Sequence, residues 1–251
     1  MTAKKTPRAT QRNDKRDPRG VSVMDSPYNN QEYYPKNTKN YNILPKTVNQ
    51  ERLIRAIETQ EIVIAEAPAG CGKTYISGGM AAKFLADGTV DKIILTRANV
   101  HVGTSIGMLP GTIEEKMAPL LAPILSVLKN RMGPGAYEYN VNKKKIEMQP
   151  LEYIRGMSFA DTFLIVDEAQ NLSIGEIQAL VTRFESGRIL FIGDPFQTDI
   201  VGENGLVWLS KFSERHRLNY SVIRFGLDDI VRSGLVKRFL MALYADKGIY
   251  E

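Results

Sequence analysis

Cysteine occurs once in this 251-residue chain, histidine twice, and no long uninterrupted apolar run is present. A single thiol, Cys71, excludes an internal disulfide and a cysteine-based zinc site, and makes a reducing, cytoplasmic compartment the expectation. His101 and His216 stand isolated and carry no functional reading. No stretch approaches the roughly 20 apolar residues that cross a bilayer, so a membrane partner is not expected. The opening segment, MTAKKTPRATQRNDKRDPRG, has charge with no apolar stretch behind it and does not read as a secretory signal. No internal repeat is visible.

Hydrophobic residues make up 43% of the chain, enough for a sizeable core in one large domain or two small ones. The net charge of +5 is unevenly placed. Residues 1–20 hold seven Lys and Arg against Asp14 and Asp17, so the remaining residues sum to zero. Residues 1–44 are polar, rich in Asn, Lys and Tyr, and poor in Val, Ile and Leu, which predicts a disordered tail. Two readings of that tail stand open: a grip on nucleic acid phosphates or an acidic partner, or a solubilising segment. Tyr28, Tyr33, Tyr34 and Tyr41 suit base stacking or a clamp on the domain surface.

From residue 45 to 251 the pattern is that of one α/β domain. Leu53, Ile54 and Ile57 follow helical spacing. EIVIAEA, DKIILTR, DTFLIVDEAQN, GRILFIGDPFQ and YSVIRFG read as short buried strands. Between them lie helical segments: GKTYISGGMAAKFLADG closed by Gly88, TIEEKMAPLLAPILSVLKN kinked at Pro119 and Pro123, and NGLVWLSKFSER. Ser173 and Glu176 predict a capping box. LDDIVRSGLVKRFLMALYADKG reads as a final amphipathic helix. Near 133–150, alternation of Tyr137, Tyr139 and Val141, then Ile146 and Met148, around NVNKKK predicts a β-hairpin excursion. Strands alternating with helices imply a parallel sheet covered on both faces, with ligands beyond the carboxyl ends of its strands.

The chemistry-bearing motifs sit at those ends. Glu66–Thr74, EAPAGCGKT, follows a strand and opens a helix, the context of a phosphate-binding loop. Main-chain N–H groups of Pro68–Ala69–Gly70–Cys71–Gly72–Lys73–Thr74 would cradle phosphates (Pro68 supplying only shape), Lys73 would neutralise them, and Thr74 would bind Mg2+. Gly70 and Gly72 permit the backbone turns; Ala67 stands where the motif has its first glycine. In FLIVDEAQ, Asp167 would hold Mg2+ through water and Glu168 would act as general base. In ILFIGDPFQ, Gln197 would meet the γ-phosphate or the attacking water. Gln50 offers a donor and an acceptor that match adenine and would favour ATP. Cys71 reads as space-filling.

Gln50, PAGCGKT, LTRANV, GMLPGTIEEKMAPLLAPI, YIRGMSFADTFLIVDEAQN and IGDPFQTDI occur together in the order and spacing of the PhoH-like family, which the chain resembles over residues 44–245. That family consists of phosphate-starvation-inducible ATPases similar to the first motor domain of superfamily 1 helicases. Departures are Ala67 for Gly, Asn99 where Pro is usual and Ser233 where His is common. The resemblance implies a RecA-like P-loop NTPase sheet with the GDPFQ strand between the loop strand and the VDEAQ strand. It implies ATP hydrolysis, RNA or single-stranded DNA as partner, and homo-oligomers in hexameric rings. The nuclease domain appended to some relatives is not expected here. Arg183 and Arg232 match family positions and are candidates for an arginine donated across a ring interface; Arg97 and Arg155 also match and suit nucleic acid, a neighbouring subunit or plain ion pairs. The expectation is a Mg2+-dependent, ring-forming ATPase acting on RNA or single-stranded nucleic acid. Its rivals are a nucleotide-gated assembly or regulatory protein that unwinds nothing, and an ATP-binding scaffold with vestigial hydrolysis, against which the intact Glu168 argues.

Overall fold

The computed structural model describes residues 41–98, 111–199 and 204–246, all within one unit of the chain. Most of the expected tail, with Tyr28, Tyr33 and Tyr34, falls outside those residues, as do Asn99 and His101.

Six short strands rich in Ile, Leu, Val and Phe pair entirely in parallel, as expected of strands covered on both faces. They are β1 (Ile62–Glu66), β2 (Lys92–Arg97), β3 (Ile146–Met148), β4 (Thr162–Asp167), β5 (Gly187–Gly193) and β6 (Tyr220–Arg224), in the spatial order β3-β2-β4-β5-β1-β6. The strand ending in GDPFQ lies between the loop strand and the VDEAQ strand, as the family resemblance implied. Alternate residues divide the core. Val63, Ala65, Ile93, Leu95, Phe163, Ile165, Leu190 and Ile192 pack under α1 (Val48–Thr59), α2 (Lys73–Asp87) and α3 (Ile113–Met132). Ile62, Ile64, Ile94, Leu164, Val166, Ile189 and Phe191 pack against the helices of the other face, α5 (Leu151–Ile154), α6 (Ile174–Val181) and α7 (Gly205–Arg215). The two-residue period of a strand thus becomes two cores.

Helix ends follow local chemistry. Thr47 caps α1, and Thr112–Glu115 and Ser173–Glu176 close capping boxes on α3 and α6. Pro119 and Pro123 both lie inside α3, which runs as one helix from Ile113 to Met132.

Two segments differ from expectation. The hairpin near 133–150 is instead helix α4 (Pro134–Asn142) followed by β3, which joins the sheet edge parallel to β2. Pro134 sits at the first helical position, where its missing N–H costs nothing, behind Gly133 at φ 83°. Tyr137 and Val141, read as alternating strand residues, are four apart and pack on the core from one helix face. The final helix is also shorter than expected. Residues 227–229 form a single 3-10 turn, and α8 spans Gly234–Asp246. The intervening stretch folds over the phosphate loop, with Val231 N–H donating to the Gly70 carbonyl at 3.1 Å.

Gly187 opens β5 at φ +110°, and a Cβ there would lie 2.2 Å from the Thr162 carbonyl oxygen and 2.5 Å from its nitrogen. Gly187→Ala should therefore destabilise the domain by about 2–4 kcal/mol, combining backbone strain with a clash against an immovable strand. A denaturant midpoint lowered at unchanged slope is the expected result; an unmoved midpoint would show that the strands separate freely here.

Candidate nucleotide site

The loop after β1 is built on the β1–β5 pairing. Ala67 N–H donates to the Gly193 carbonyl at 2.9 Å and so extends the ladder by one bond. Ala67 is fully buried and is not among the residues with positive φ, so its position does not call for glycine. Gly70 and Gly72 do require it, at φ +89° and +84°. A Cβ on Gly70 would lie 2.8 Å from Arg232 Cγ, and one on Gly72 2.9 Å from Gln50 Nε2. The loop then runs into α2, whose first turn points main-chain N–H groups at the same cavity.

That cavity, about 560 Å³, falls within the usual range for small-molecule sites and is lined by Ala69 to Tyr75, Arg97, Asp167, Glu168, Asp194, Gln197 and Arg232, among others. Lys73 folds back on the loop, its Nζ donating to the Ala67 and Pro68 carbonyls. Burial holds its pKa below the usual lysine range, against the pull of Asp194. A buried ammonium whose hydrogen bonds go to main-chain carbonyls can exchange them for an anion.

Asp167 and Glu168 emerge from the end of β4 opposite that ammonium. Burial first, and Glu168 second, raise the Asp167 pKa, with Arg97 opposing. Thr74 lines the same cavity, so a hydroxyl and a desolvated carboxylate are available to a hard cation with an oxygen shell completed by water. One hydroxyl and one carboxylate with water is a donor set of the kind Mg2+ takes; among the described residues no group of three or more His, Cys, Asp or Glu could hold a metal ion. Glu168 adopts left-handed backbone angles, φ 52° and ψ 38°, unusual for a non-glycine residue and common at functional turns. Arg97 donates to its Oε1 at 3.0 Å and Gln170 to its Oε2 at 2.7 Å.

Other expected site residues fall differently. Gln50 is buried behind the loop rather than open to a base. Its Nε2 donates to the Cys71 carbonyl at 2.9 Å and its Oε1 accepts from Lys46 N–H at 2.7 Å, so the amide expected to read adenine grips main chain instead. Cys71 is buried, with its thiol pushed up to about 12 chiefly by desolvation, which fits its space-filling reading. Arg97 and Arg155 both lie in internal ion pairs, Arg97 with Glu168 and Arg155 with Glu176 at 2.7 Å. Arg232 lies over the loop of its own chain. Arg183 lies at the other end of the sheet: its carbonyl accepts from Phe159 N–H beside the starts of β4 and β5, and its Nε is buried without a partner.

Sequence reasoning gave no role to Gln170 or Tyr244 and none of its own to Asp194, which it noted beside Gln197. Asp194 is buried and accepts hydrogen bonds from Phe196 N–H, Gln197 Nε2 and the Tyr244 hydroxyl. Gln170 bridges Asp194 N–H to Glu168. Gln170 and Asp194 were visible inside quoted motifs; Tyr244 carries no local signal, since an aromatic on an amphipathic helix reads as core.

A family profile described as PhoH-like protein matches residues 42–244. Protein PhoH of Escherichia coli K12 is 36% identical over 206 residues, covering 80% of this chain and 58% of that protein. A PhoH-like protein of Bacillus subtilis strain 168 is 34% identical over 214 residues, covering 84% of this chain and 67% of its own length. The chain thus spans only part of the length of these relatives. Among solved structures, the large terminase of a thermophilic bacteriophage superposes with a TM-score of 0.50 at 13% identity, covering 80% of this chain and 51% of the terminase, a likeness of fold.

The raised pKa of Asp167 has a defined consequence for stability. The folded state holds that proton more tightly than the unfolded chain, so the Asp167 contribution is most favourable at low pH. It is lost as pH rises from the ordinary carboxylate range through the raised pKa. Asp167→Asn should therefore raise the melting temperature of the ligand-free protein near neutral pH and flatten this part of the pH profile. A lower melting temperature at neutral pH would show that the carboxylate is already compensated.

Proposed function

The chain belongs to the PhoH-like protein family, and from that membership we propose that it is a Mg2+-dependent ATPase acting on RNA or single-stranded nucleic acid as a ring of identical subunits. The observation that carries this reading is the meeting, in one cavity, of the Gly70–Thr74 cradle with Asp167 and Glu168. Lys73 would exchange the Ala67 and Pro68 carbonyls for phosphate oxygens. Thr74 and Asp167 would hold Mg2+, which when bound offsets phosphate charge. Glu168, aimed by Arg97 and Gln170, would take the proton of the attacking water. Gln50 enters this proposal as a brace of the cradle rather than a reader of the base.

Two features support a ring. Among the described residues the cavity stands at the end of one six-stranded sheet, where a neighbouring subunit would supply a second wall. Helix α8 also exposes Leu235, Phe239 and Leu243 along one stripe, at 73%, 67% and 38%. Spaced by four, these residues share a face that a neighbouring subunit would cover. Arg183, remote from its own chain's cradle, and Arg232, which lies over its own loop, are the two candidates for donation across such an interface, and the position of Arg183 favours it. Hexameric closure and nucleic acid as substrate come to the proposal from the family resemblance. The same stripe, lying on a helix that touches the nucleotide site, favours a second reading as a nucleotide-gated assembly protein without unwinding activity.

Lys73→Ala should abolish nucleotide binding, whereas Glu168→Gln should bind nucleotide and lose turnover by about 10²-fold or more, the usual scale of a lost general base. Equal turnover of Glu168→Gln and wild type would sink the base assignment. Stimulation of turnover by single-stranded RNA or DNA separates the motor reading from the assembly reading. Mixing Glu168→Gln chains with Arg183→Ala chains should restore activity if Arg183 acts in trans; no recovery in rings shown by sizing to be mixed removes it from the site.

A further inference from the structure

Tyr244 is the residue that α8 buries, and its hydroxyl ends among the groups of the nucleotide site. It donates to Asp194 Oδ2 and accepts from Ala69 N–H at 3.2 Å and from Gln197 Nε2 at 3.0 Å. A phenol can donate one bond and accept others at once, so a single hydroxyl serves all three groups. Burial first, and the bond to Asp194 second, push the phenol up to about 12, so the proton stays on the hydroxyl through the neutral range.

The consequence falls on Gln197. Its Nε2 carries two hydrogens, and both have acceptors on the inner side: Asp194 Oδ2 at 2.9 Å and the Tyr244 oxygen at 3.0 Å. Reversing the amide would set its oxygen against a buried carboxylate, with no donor between them. The NH2 group is therefore committed inward, and the amide oxygen is the end of this cavity-lining side chain that remains for a ligand. An amide oxygen accepts a hydrogen bond. It can hold a water by one of its protons, but it cannot donate to a phosphate oxygen. Of the two tasks open to Gln197, contact with the γ-phosphate and contact with the attacking water, this orientation selects the second.

We infer that Tyr244 is a positioning residue that locks the Gln197 amide with its oxygen toward the attacking water, and so aligns that water for Glu168. The inference rests on the ATPase reading above. The lock also ties a residue of α8 directly to the phosphate loop, through Ala69 N–H.

The test is a kinetic cycle on the full chain: wild type, Tyr244→Phe, Gln197→Ala and the double variant. For each, kcat is measured with ATP, and Kd with ADP and a non-hydrolysable ATP analogue. Tyr244→Phe keeps the ring and removes one hydroxyl, so kcat should fall by about three- to tenfold at unchanged Kd, the scale of one hydrogen bond acting only in the transition state. The double variant should be no slower than Gln197→Ala, because Tyr244 acts through that amide. Additive losses overturn the inference, as does an unchanged kcat in Tyr244→Phe. Equal losses in binding and turnover overturn it too, since they mark a ring that merely holds the loop in place. A wild-type chain without turnover overturns the ATPase reading and this inference with it, whereas failure of the Tyr244 cycle in an active enzyme leaves that reading standing. Should Tyr244→Phe not fold, 3,5-difluorotyrosine at 244 keeps the shape and weakens the oxygen as an acceptor. A changed kcat at unchanged Kd then supports the lock, and an unchanged kcat overturns it.

Discussion

The parallel ladder between β1 and β5, prolonged by the bond from Ala67 N–H to the Gly193 carbonyl, is the contact on which the site depends. It sets the start of the phosphate loop beside the turn that carries Asp194 and Gln197. Gly193 makes room on its other side for the turn after β4: a Cβ there would lie 2.3 Å from Gln170 Oε1 and 3.0 Å from Gln170 N. Pairing of β5 with β4 then brings Asp167 and Glu168 alongside. Three strand ends converge because the sheet order interleaves them, although their residues are far apart in the chain.

Two charged groups that line the cavity are held largely out of water. Lys73 is desolvated against carbonyl dipoles, and Asp167 is desolvated beside a second carboxylate. Each shift signals a charge whose solvation has been removed without full compensation. Glu168 adds a left-handed backbone, held by the bonds of its carboxylate to Arg97 and Gln170. Arg97 has a structural use here, since its guanidinium also donates to the Leu120 carbonyl and so ties the acid pair to α3.

The carboxyl-terminal helix joins this centre to the outside. Its inner side delivers Tyr244 to the loop, while its outer stripe of Leu235, Phe239 and Leu243 faces solvent. A helix that buries so little of its apolar surface gains little from packing on its own domain. The polar network around Asp194 and the exposed apolar stripe are thus two sides of one helix.

Strand periodicity, the Gly70–Thr74 loop and the acid pair were legible in the sequence because each depends on neighbours a few residues away. Four or five apolar residues bounded by turn signals read as a buried strand, and glycines ahead of a lysine at a helix start read as a phosphate-type loop, before any distant contact is known. Even so, Tyr137 and Val141 passed for a hairpin, because their two-residue alternation and their four-residue spacing describe the same positions; Pro134 and the core face decided between them. The partners of the polar side chains were not legible. Gln50 turns to the Cys71 carbonyl, Arg232 lies on Gly70, and Tyr244 meets Ala69 from 175 residues away. No local pattern encodes such bonds. A donor is assigned to an acceptor only when packing has brought both out of water, and that is settled by the tertiary structure alone.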